Sequence, residues 1–363
     1  MSSDLHISFM TQALGLAEQA LYLTSPNPRV GCVLVKDGRV IGQGHTQAAG
    51  QAHAEVMALR DAQALGHATQ GATAYVTLEP CSHQGRTGPC CDALIQAGIA
   101  RVVLAVGDPN PQVNGQGAAR LRAAGVEVIT GVCEDEAREM NIGFFKRMRT
   151  GLPWVRLKIA ASLDGQTALH NGVSQWITSE AARNDGHAWR ARSCAILTGI
   201  GTVLADDPQL DVRAVATPRQ PTLVVVDSQL ETPANAAIFK PERPVWLYCA
   251  TPQAHQHAAL HKADIRCLPN ANGKVALGEM LADVGQRGIN ELHVEAGHKL
   301  NGSLLREGLV DELLVYTAPM LLGQGQGMSN LGPFEAMHQA QRLKFHQVTQ
   351  IGEDLRLLAR FCK

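Results

Sequence analysis

Three stretches carry residue types that together could activate water: His53-Ala54-Glu55, Glu79-Pro80-Cys81 and, nine residues beyond Cys81, Cys90. A neutral imidazole and two thiolates are good zinc ligands, and three protein ligands rather than four leave one coordination position open, which marks a catalytic rather than a structural site. Zinc lowers the pKa of a bound water to roughly 7, so a strong nucleophile is available near neutral pH. A carboxylate beside it can shuttle the proton, and Glu55 is placed for that role. Any one of these residues alone reads as a satisfied histidine, a surface glutamate or a buried free thiol. Together, with Pro80 in place, they read as a metal centre.

The elements around them must deliver all three donors to one point. Ala74-Tyr75-Val76-Thr77-Leu78 reads as a buried strand, and Cys91-Asp92-Ala93-Leu94-Ile95 opens an apolar helical pattern. The arrangement resembles the His-x-Glu and Pro-Cys-x-x-Cys pattern of zinc-dependent nucleobase deaminases, with one departure: eight residues, Ser82 to Pro89, separate the cysteines instead of two. A longer loop between a strand end and a helix start can still bring both thiolates to one metal. His53 and Glu55 pose a second difficulty, because residues two apart on a helix do not share a face. In the first turn after Gly50, a metal held off the helix end is within reach of both, and the helix N-terminus favours the Glu55 carboxylate. His45 and His83 stand as rival ligands or substrate contacts, and Cys91 competes with Cys90.

The 363-residue chain is long enough for two domains, each with its own core. Its 32 Lys and Arg against 33 Asp and Glu give no electrostatic footprint for nucleic acid or an anionic membrane. A small-molecule substrate is therefore expected, and a deaminase of polymeric RNA or DNA is disfavoured. Nine cysteines, an odd number, and a start at Met1-Ser2-Ser3-Asp4 without a basic and then apolar leader point to reduced thiols and a cytoplasmic address. No apolar run approaches the length of a membrane span.

In chain order, His6 to Tyr22 has apolar residues at helical spacing and ends at Ser25-Pro26-Asn27-Pro28. Val30 to Val35 and Arg39 to Gly42 flank the Asp37-Gly38 turn of a hairpin. A helix at 53–64, strand 73–78, helix 91–98 and strands Arg101 to Val106 and Val126 to Thr130 complete a three-layer α/β pattern. Glu134 to Gly151 reads as one charged helical run, broken by Thr150-Gly151-Leu152-Pro153, where the domain boundary is expected. Residues 25 to 151 resemble the deaminase half of the bifunctional riboflavin-biosynthesis deaminase/reductases, through Asn27-Pro28-Arg29-Val30-Gly31, His53-Ala54-Glu55, the run Glu79 to Cys90 and Asp108-Pro109-Asn110-Pro111. The long inter-cysteine loop is what that family is expected to have. The resemblance assigns the metal to His53, Cys81 and Cys90, and an adjacent thiol at a helix start, Cys91, points elsewhere.

Past the boundary the pattern restarts with strands Trp154 to Ala160, Cys194 to Thr198, Thr222 to Val226, Val245 to Cys249, Leu292 to Glu295 and Glu312 to Thr317. Helices fall at Glu180 to Arg192, from Thr202, and from about Asn301. This alternation implies a mostly parallel sheet covered on both faces, with ligands at the carboxyl ends of its strands. Polar residues and glycines collect there: Ser162-Leu163-Asp164-Gly165, Gly199-Ile200-Gly201-Thr202, Asp227-Ser228 and Glu295-Ala296-Gly297. Such turns let backbone N–H groups approach a phosphate, yet no Gly-x-Gly-x-x-Gly run is present and Gly323-Gln324-Gly325-Gln326-Gly327 could be a plain loop.

Residues 154 to about 325 resemble the reductase half of the same family, which is similar in fold to dihydrofolate reductase. The matching stretches are Lys158 to Gly165, Ser174 to Thr178, Gly199 to Pro208, Val226-Asp227-Ser228 and Glu295-Ala296-Gly297. The resemblance implies NADPH contacts at Ala160, Trp176, Thr202, Asp206, Ser228 and Gly297. It implies ribose-phosphate substrate contacts at Ser174, Arg190, Leu210, Arg213 and Glu295, and guanidinium groups suit a phosphate.

The chain is thus expected to be a cytidine-deaminase-like α/β domain over residues 1–150 followed by a dihydrofolate-reductase-like domain over 151–363. The resemblance implies zinc-dependent deamination of a diaminopyrimidinone ribosylamine 5′-phosphate, then NADPH-dependent reduction of its ribosyl group to ribityl, in a homodimer. Two alternatives stay open: a different nucleobase or nucleoside deaminase with an unrelated second domain, and a second domain that only binds a nucleotide or a partner.

Overall fold

The computed structural model describes residues 3–82, 88–111, 113–251 and 260–362, and the chain divides into two compact units, Met1–Gly151 and Leu152–Lys363. The first begins with α1 (Ser3–Gln19), the hairpin β1 (Gly31–Lys36) and β2 (Arg39–His45), α2 (Ala54–Ala64), β3 (Thr73–Val76), α3 (Cys90–Gln96) and β4 (Arg101–Leu104). It closes with α4 (Gln116–Ala123), β5 (Glu127–Thr130), α5 (Glu134–Met140) and α6 (Ile142–Thr150). Among the described residues its sheet runs β2-β1-β3-β4-β5, antiparallel on either side of β1 and parallel from β3 to β5.

The hairpin turns on Asp37 and Gly38, both left-handed, as the Asp-Gly pair predicts. On α2 the buried positions Ala54, Ala58 and Ala62 recur every fourth residue, and Gly42 of β2 lies so close that a Cβ there would be 2.4 Å from the Ala58 carbonyl oxygen. Small residues on both sides thus seat the start of α2, with His53 and Glu55, against the sheet.

The expected single helix over 134–151 is two. Asn141, between α5 and α6, has φ −117° and ψ 27°. Its side-chain oxygen accepts the Arg29 N–H at 2.8 Å and its amide donates to the Arg29 carbonyl at 2.8 Å, while Arg29 Nη1 donates to the Met140 carbonyl at 2.9 Å. This reciprocal pairing reaches across 112 residues and outweighs local helix propensity. Helix α6 then ends at left-handed Gly151, whose N–H returns to the Arg147 carbonyl.

The second unit contains β6 (Trp154–Ser162), β7 (Gln166–Leu169), α7 (Glu180–Arg192), β8 (Ala195–Gly199), α8 (Ile200–Asp206), β9 (Thr222–Val226), β10 (Val245–Cys249) and β11 (Asp264–Cys267). After these come α9 (Leu277–Gln286), β12 (Glu291–Val294), α10 (His298–Arg306), β13 (Glu312–Ala318), β14 (Gly325–Gly327), β15 (Leu343–Ile351) and β16 (Asp354–Phe361). Among the described residues the main sheet has the order β11-β10-β9-β8-β12-β6-β13-β16-β15. It is parallel from β11 to β13, with the antiparallel β16 and β15 added at one edge. One face packs Val155, Leu157 and Ile159 against Met280, Leu281 and Val284 of α9 and Leu304 of α10. The other packs Leu314 and Tyr316 against Trp189 of α7, and Ile196 against Val203 of α8.

The glycine run at 323–327 is more than a loop. Gly325–Gly327 forms β14, which pairs with β7, and a Cβ on Gly325 would be 2.2 Å from the Ala168 carbonyl oxygen. Asp164 fixes the approach by accepting the N–H groups of Leu322 at 3.1 Å and Gly323 at 2.8 Å.

Replacing Asn141 by alanine would leave the Arg29 N–H and carbonyl buried without these partners, each worth about 1–3 kcal/mol. Asn141→Ala should lower the unfolding free energy by about 2 kcal/mol or more in denaturant titrations, whereas the exposed Arg122→Ala should change it little.

Candidate active sites

His53 occupies the position just before α2, with extended backbone (φ −79°, ψ 168°), and Glu55 lies in the helix's first turn. This resolves the two-residue spacing: the histidine is off the helical spiral and the glutamate is on it. Cys81 follows the end of the β3 segment, and Cys90 is the first residue of α3 after Pro89. The imidazole and the two sulfurs have ligand atoms within 4.8 Å of one another. His53 Nδ1 is 3.3 Å from Cys90 Sγ and 3.7 Å from Cys81 Sγ, and the Cys90 N–H donates to Cys81 Sγ at 3.3 Å. One nitrogen and two sulfur donors around a common point, supplied by three separate elements, fit a zinc ion.

The neighbouring Cys91 is buried and turned away, its thiol donating to the carbonyls of Pro80 at 3.3 Å and Gly117 at 3.6 Å. His45 is half-buried and outside the cluster, and His83 lies outside the described residues.

The electrostatics of the cluster favour proton movement. Glu55 is 3% exposed; burial, and next the nearby Cys81, push its carboxyl up to about 7. Hydrogen bonding from the Cys90 thiol holds Cys81 down to about 4, and Cys90, as donor to that anion, is pushed up. His53 is raised chiefly by its hydrogen bond to Cys81.

Glu79 has a different job from Glu55. It is buried and accepts three backbone N–H groups, from Asp108 at 3.2 Å, Gly115 at 2.9 Å and Ala118 at 3.0 Å. A carboxylate so held ties the segment before Cys81 to the start of α4, which lies so close that a Cβ on Gly117 would be 2.1 Å from the Pro80 carbonyl oxygen. Beside the cluster, a hollow of about 880 Å³ opens between residues 50–52, α2 and the start of α3, lined among others by Gln51, Met57, Arg60 and Asp92. None of His53, Glu55, Cys81 and Cys90 lines it, so the chemistry is assigned from the cluster and not from the hollow.

In the second unit, topology sets four of the expected NADPH contacts in a row. Ala160 lies near the carboxyl end of β6, Gly297 follows β12, Thr202 follows β8 and Ser228 follows β9, and these four parallel strands are consecutive neighbours. Gly297 immediately precedes α10, and Thr202 sits in the first turn of α8, so two helix N-termini open at this edge. The Ser228 carbonyl accepts the Ala250 N–H at 3.0 Å and its hydroxyl accepts the Val275 N–H at 3.3 Å. Asp206 is the exposed last residue of α8. Trp176 is 66% exposed, with the Arg183 guanidinium 4.5 Å over its ring, and Ser174 is half-buried in the same segment before α7.

The expected substrate residues Arg190 and Glu295 meet directly. Arg190 donates through Nε at 2.5 Å and Nη2 at 2.8 Å to the two Glu295 oxygens, and through Nη1 to the Asp211 carbonyl at 2.9 Å. Against the penalty of burial, this fork holds Glu295 well below the usual carboxylate range. Arg213 pairs with Asp211, and its N–H reaches His187 Nδ1 at 3.4 Å. Leu210, just before Asp211, is buried in a left-handed conformation, φ 50°.

Sequence reasoning quoted Lys158 without giving it a role and passed over His187, His293 and Arg243. Lys158 Nζ is 4.0 Å from Glu295 and burial lowers its pKa; buried His293 is 3.3 Å from the same carboxylate. Alternation along β6 from Ala160, and along β12 from Glu295, is the signal that would have found Lys158 and His293. Lys158, Arg190 and Arg213 gather here with the Glu295 and Asp211 carboxylates, a cluster of cations that suits an anionic ligand.

Comparison with known proteins decides between the readings. Residues 3–106 match the cytidine and deoxycytidylate deaminase zinc-binding region, and residues 153–357 match the RibD C-terminal domain. The riboflavin biosynthesis protein RibD of Escherichia coli K12 is 47% identical, over 96% of this chain and 97% of that protein. The chain belongs to the RibD family. The solved structure of Acinetobacter baumannii RibD superposes with a TM-score of 0.90 at 43% identity, covering both chains fully. A Thermotoga maritima structure, described as a diaminohydroxyphosphoribosylaminopyrimidine deaminase/5-amino-6-(5-phosphoribosylamino)uracil reductase, does so with 0.90 at 32% identity over 99% of both.

This RibD-family chain is accordingly a bifunctional enzyme of riboflavin biosynthesis, a zinc-using deaminase and an NADPH-using reductase, with a cytidine-deaminase-like fold followed by a RibD reductase fold. An unrelated or non-catalytic second domain does not stand, because the RibD C-terminal match spans it. Among the described residues no helix is long and apolar enough to cross a membrane.

The buried base His187 offers a check on this electrostatic description. Burial, and next Arg190 and Arg213, push it down to about 4 from 6.5. Between those values the unfolded chain binds a proton that the folded site refuses, so this residue makes stability fall as pH drops from about 6.5 to about 4. In His187→Gln, denaturant midpoints should decline less steeply over that window than in the parent; equal slopes would show that His187 is protonated in the fold.

Proposed function

We propose that residues 1–150 hydrolytically deaminate 2,5-diamino-6-ribosylamino-4(3H)-pyrimidinone 5′-phosphate. Residues 151–363 then reduce the ribosyl group of 5-amino-6-(5-phosphoribosylamino)uracil to ribityl with NADPH. The carrying observation is the His53, Cys81 and Cys90 cluster with buried Glu55 against it, in a chain that aligns almost end to end with RibD proteins. His53, Cys81 and Cys90 would hold zinc, which when bound supplies an activated water for attack on the amino-bearing ring carbon.

Glu55 does the proton work. With a carboxyl pushed up to about 7, it can both accept a proton from water and return it to the departing amino group near neutral pH. Cys91, committed to two carbonyls, keeps α3 seated on the segment before Cys81.

In the second half NADPH supplies hydride, and the protein's contribution is orientation. The row Ala160, Gly297, Thr202 and Ser228, with Trp176 and Asp206, would bind the cofactor. Ser174, Arg190, Leu210, Arg213 and Glu295 would bind the substrate, where Arg190, already locked by Glu295, presents a fixed positive edge to the ribose phosphate. A homodimer in the cytoplasm completes the proposal; nine free cysteines suit a reducing compartment, and sedimentation tests the dimer.

Glu55→Gln should keep zinc, because the carboxylate is not a ligand, and lose about 10²-fold to 10⁴-fold in ammonia release. Loss of metal along with activity would make Glu55 a ligand or a prop. Asp206→Ala should weaken reduction while ammonia release continues and the deaminated pyrimidine accumulates. A normally melting variant that oxidises NADPH at the parent rate would remove α8 from the cofactor site.

A further inference from the structure

We propose that Arg243 is a positioning residue for the reductase substrate: it clamps the segment at 207–213 in the shape that sets Arg213 and Asp211 beside Arg190. The proposal rests on the substrate site described under Proposed function. That segment carries two non-glycine residues in the left-handed region, Asp207 at φ 40° and Leu210 at φ 50°. L-residues hold such a conformation only where surrounding bonds over-determine it.

The ends of the segment are pinned to chain outside it. Asp207 accepts the Ala237 N–H at 2.7 Å, and Gln220 takes both the Val212 N–H at 2.6 Å and its carbonyl at 2.7 Å. The middle is held by Arg243, whose Nη1 donates to the Leu210 carbonyl and Nη2 to the Gln209 carbonyl. Its planar fork fixes both carbonyl directions at once, which a lysine could not do.

Arg243 is poorly explained as a stabilising residue. Burial pushes it down to about 10, the Asp211 carboxylate pulling the other way and the Arg190 cation adding to the fall, and among the described residues no carboxylate is close enough to ion-pair with it. Its Nε is buried without a hydrogen-bond partner. A half-buried guanidinium that gives up hydration without an ion-paired carboxylate gains little net stability, and an apolar residue of similar volume would serve the packing as well. What the fold gains is the shape of the segment. Through it Asp211 offers its carbonyl to Arg190 and its carboxylate to Arg213, so the clamp reaches both arginines of the proposed phosphate site by way of the segment.

The test uses the full-length, zinc-loaded enzyme and the deaminated pyrimidine ribose phosphate as reductase substrate. Arg243→Met should raise the KM for that substrate about tenfold, with kcat within about twofold and both the NADPH Kd and ammonia release unchanged. Arg243→Lys, which keeps the charge and one prong, should fall between Met and parent. It also carries the test if the Met variant does not fold.

An unchanged KM overturns the proposal. So does a common fall of kcat, NADPH affinity and melting temperature, which would mark a purely structural role. Arg213→Met separates the two levels. If it leaves KM unmoved, the substrate site itself is misplaced; if it raises KM while the Arg243 variants do not, only the clamp is wrong.

Discussion

A charge taken out of water must be answered by opposite charge or converging dipoles, and the second unit is built around two such answers on the α7 face of its sheet. Arg156, almost fully buried, lies between Glu312 at 2.5 Å and Glu291 at 3.1 Å, with its guanidinium 4.6 Å over the Trp189 ring. Two residues along β6 and four along β12, Lys158 and Glu295 repeat the theme with Arg190. These pairs join α7 to β6, β12 and β13 in one register, since slipping any strand by one residue would send its charged side chains to the apolar α9 face. Burying charge contributes little net stability, but the cost of mispairing it is high, and that cost fixes the geometry in which Glu295 and Arg190 meet.

The first unit uses the opposite device. Glu55 is buried, and among the described residues no arginine or lysine is paired with it; burial, and next the Cys81 thiolate, push its carboxyl up to about 7. Glu79, also buried and close by, is answered by three backbone N–H dipoles. Two buried glutamates in one unit thus differ by environment alone: one has its carboxyl pushed up, the other anchors the segment that leads to Cys81.

How much of this could be read beforehand follows from how local each cause is. His53, Cys81 and Cys90 were legible because ligand type and Pro80 are written in the residues themselves, and a helix start and a strand end are local events. The row of turns after β6, β8, β9 and β12 was legible from glycine and polar residues following apolar runs. Their adjacency was not, because the order β9-β8-β12-β6 is a property of the sheet. Asn141 looked like one more residue of a charged helix, and its reason for breaking that helix sits 112 residues away at Arg29. The same holds for β14, whose partner β7 precedes it by far, and for Arg243, which acts on carbonyls more than thirty residues upstream. Left-handed Leu210 gave no sign at all, since leucine carries none of the turn chemistry of glycine or asparagine.

In the proposed reactions the 5′-phosphate is present before and after deamination, so arginines that held it would bind both compounds and could not by themselves order the two steps. Selection for the deaminated ring has to come from groups that read the change from an amino donor to a carbonyl acceptor, because a site built to pair one rejects the other by leaving a buried polar group unsatisfied. The phosphate arginines then serve a different end. Binding energy drawn from a remote group that does not react can be spent on holding the ribosyl carbon against the nicotinamide, which raises turnover instead of merely tightening the complex. A segment at 207–213 clamped as proposed would suit that use: the more firmly Arg190 and Arg213 were set before substrate arrived, the less of the phosphate's binding energy would be lost in ordering them.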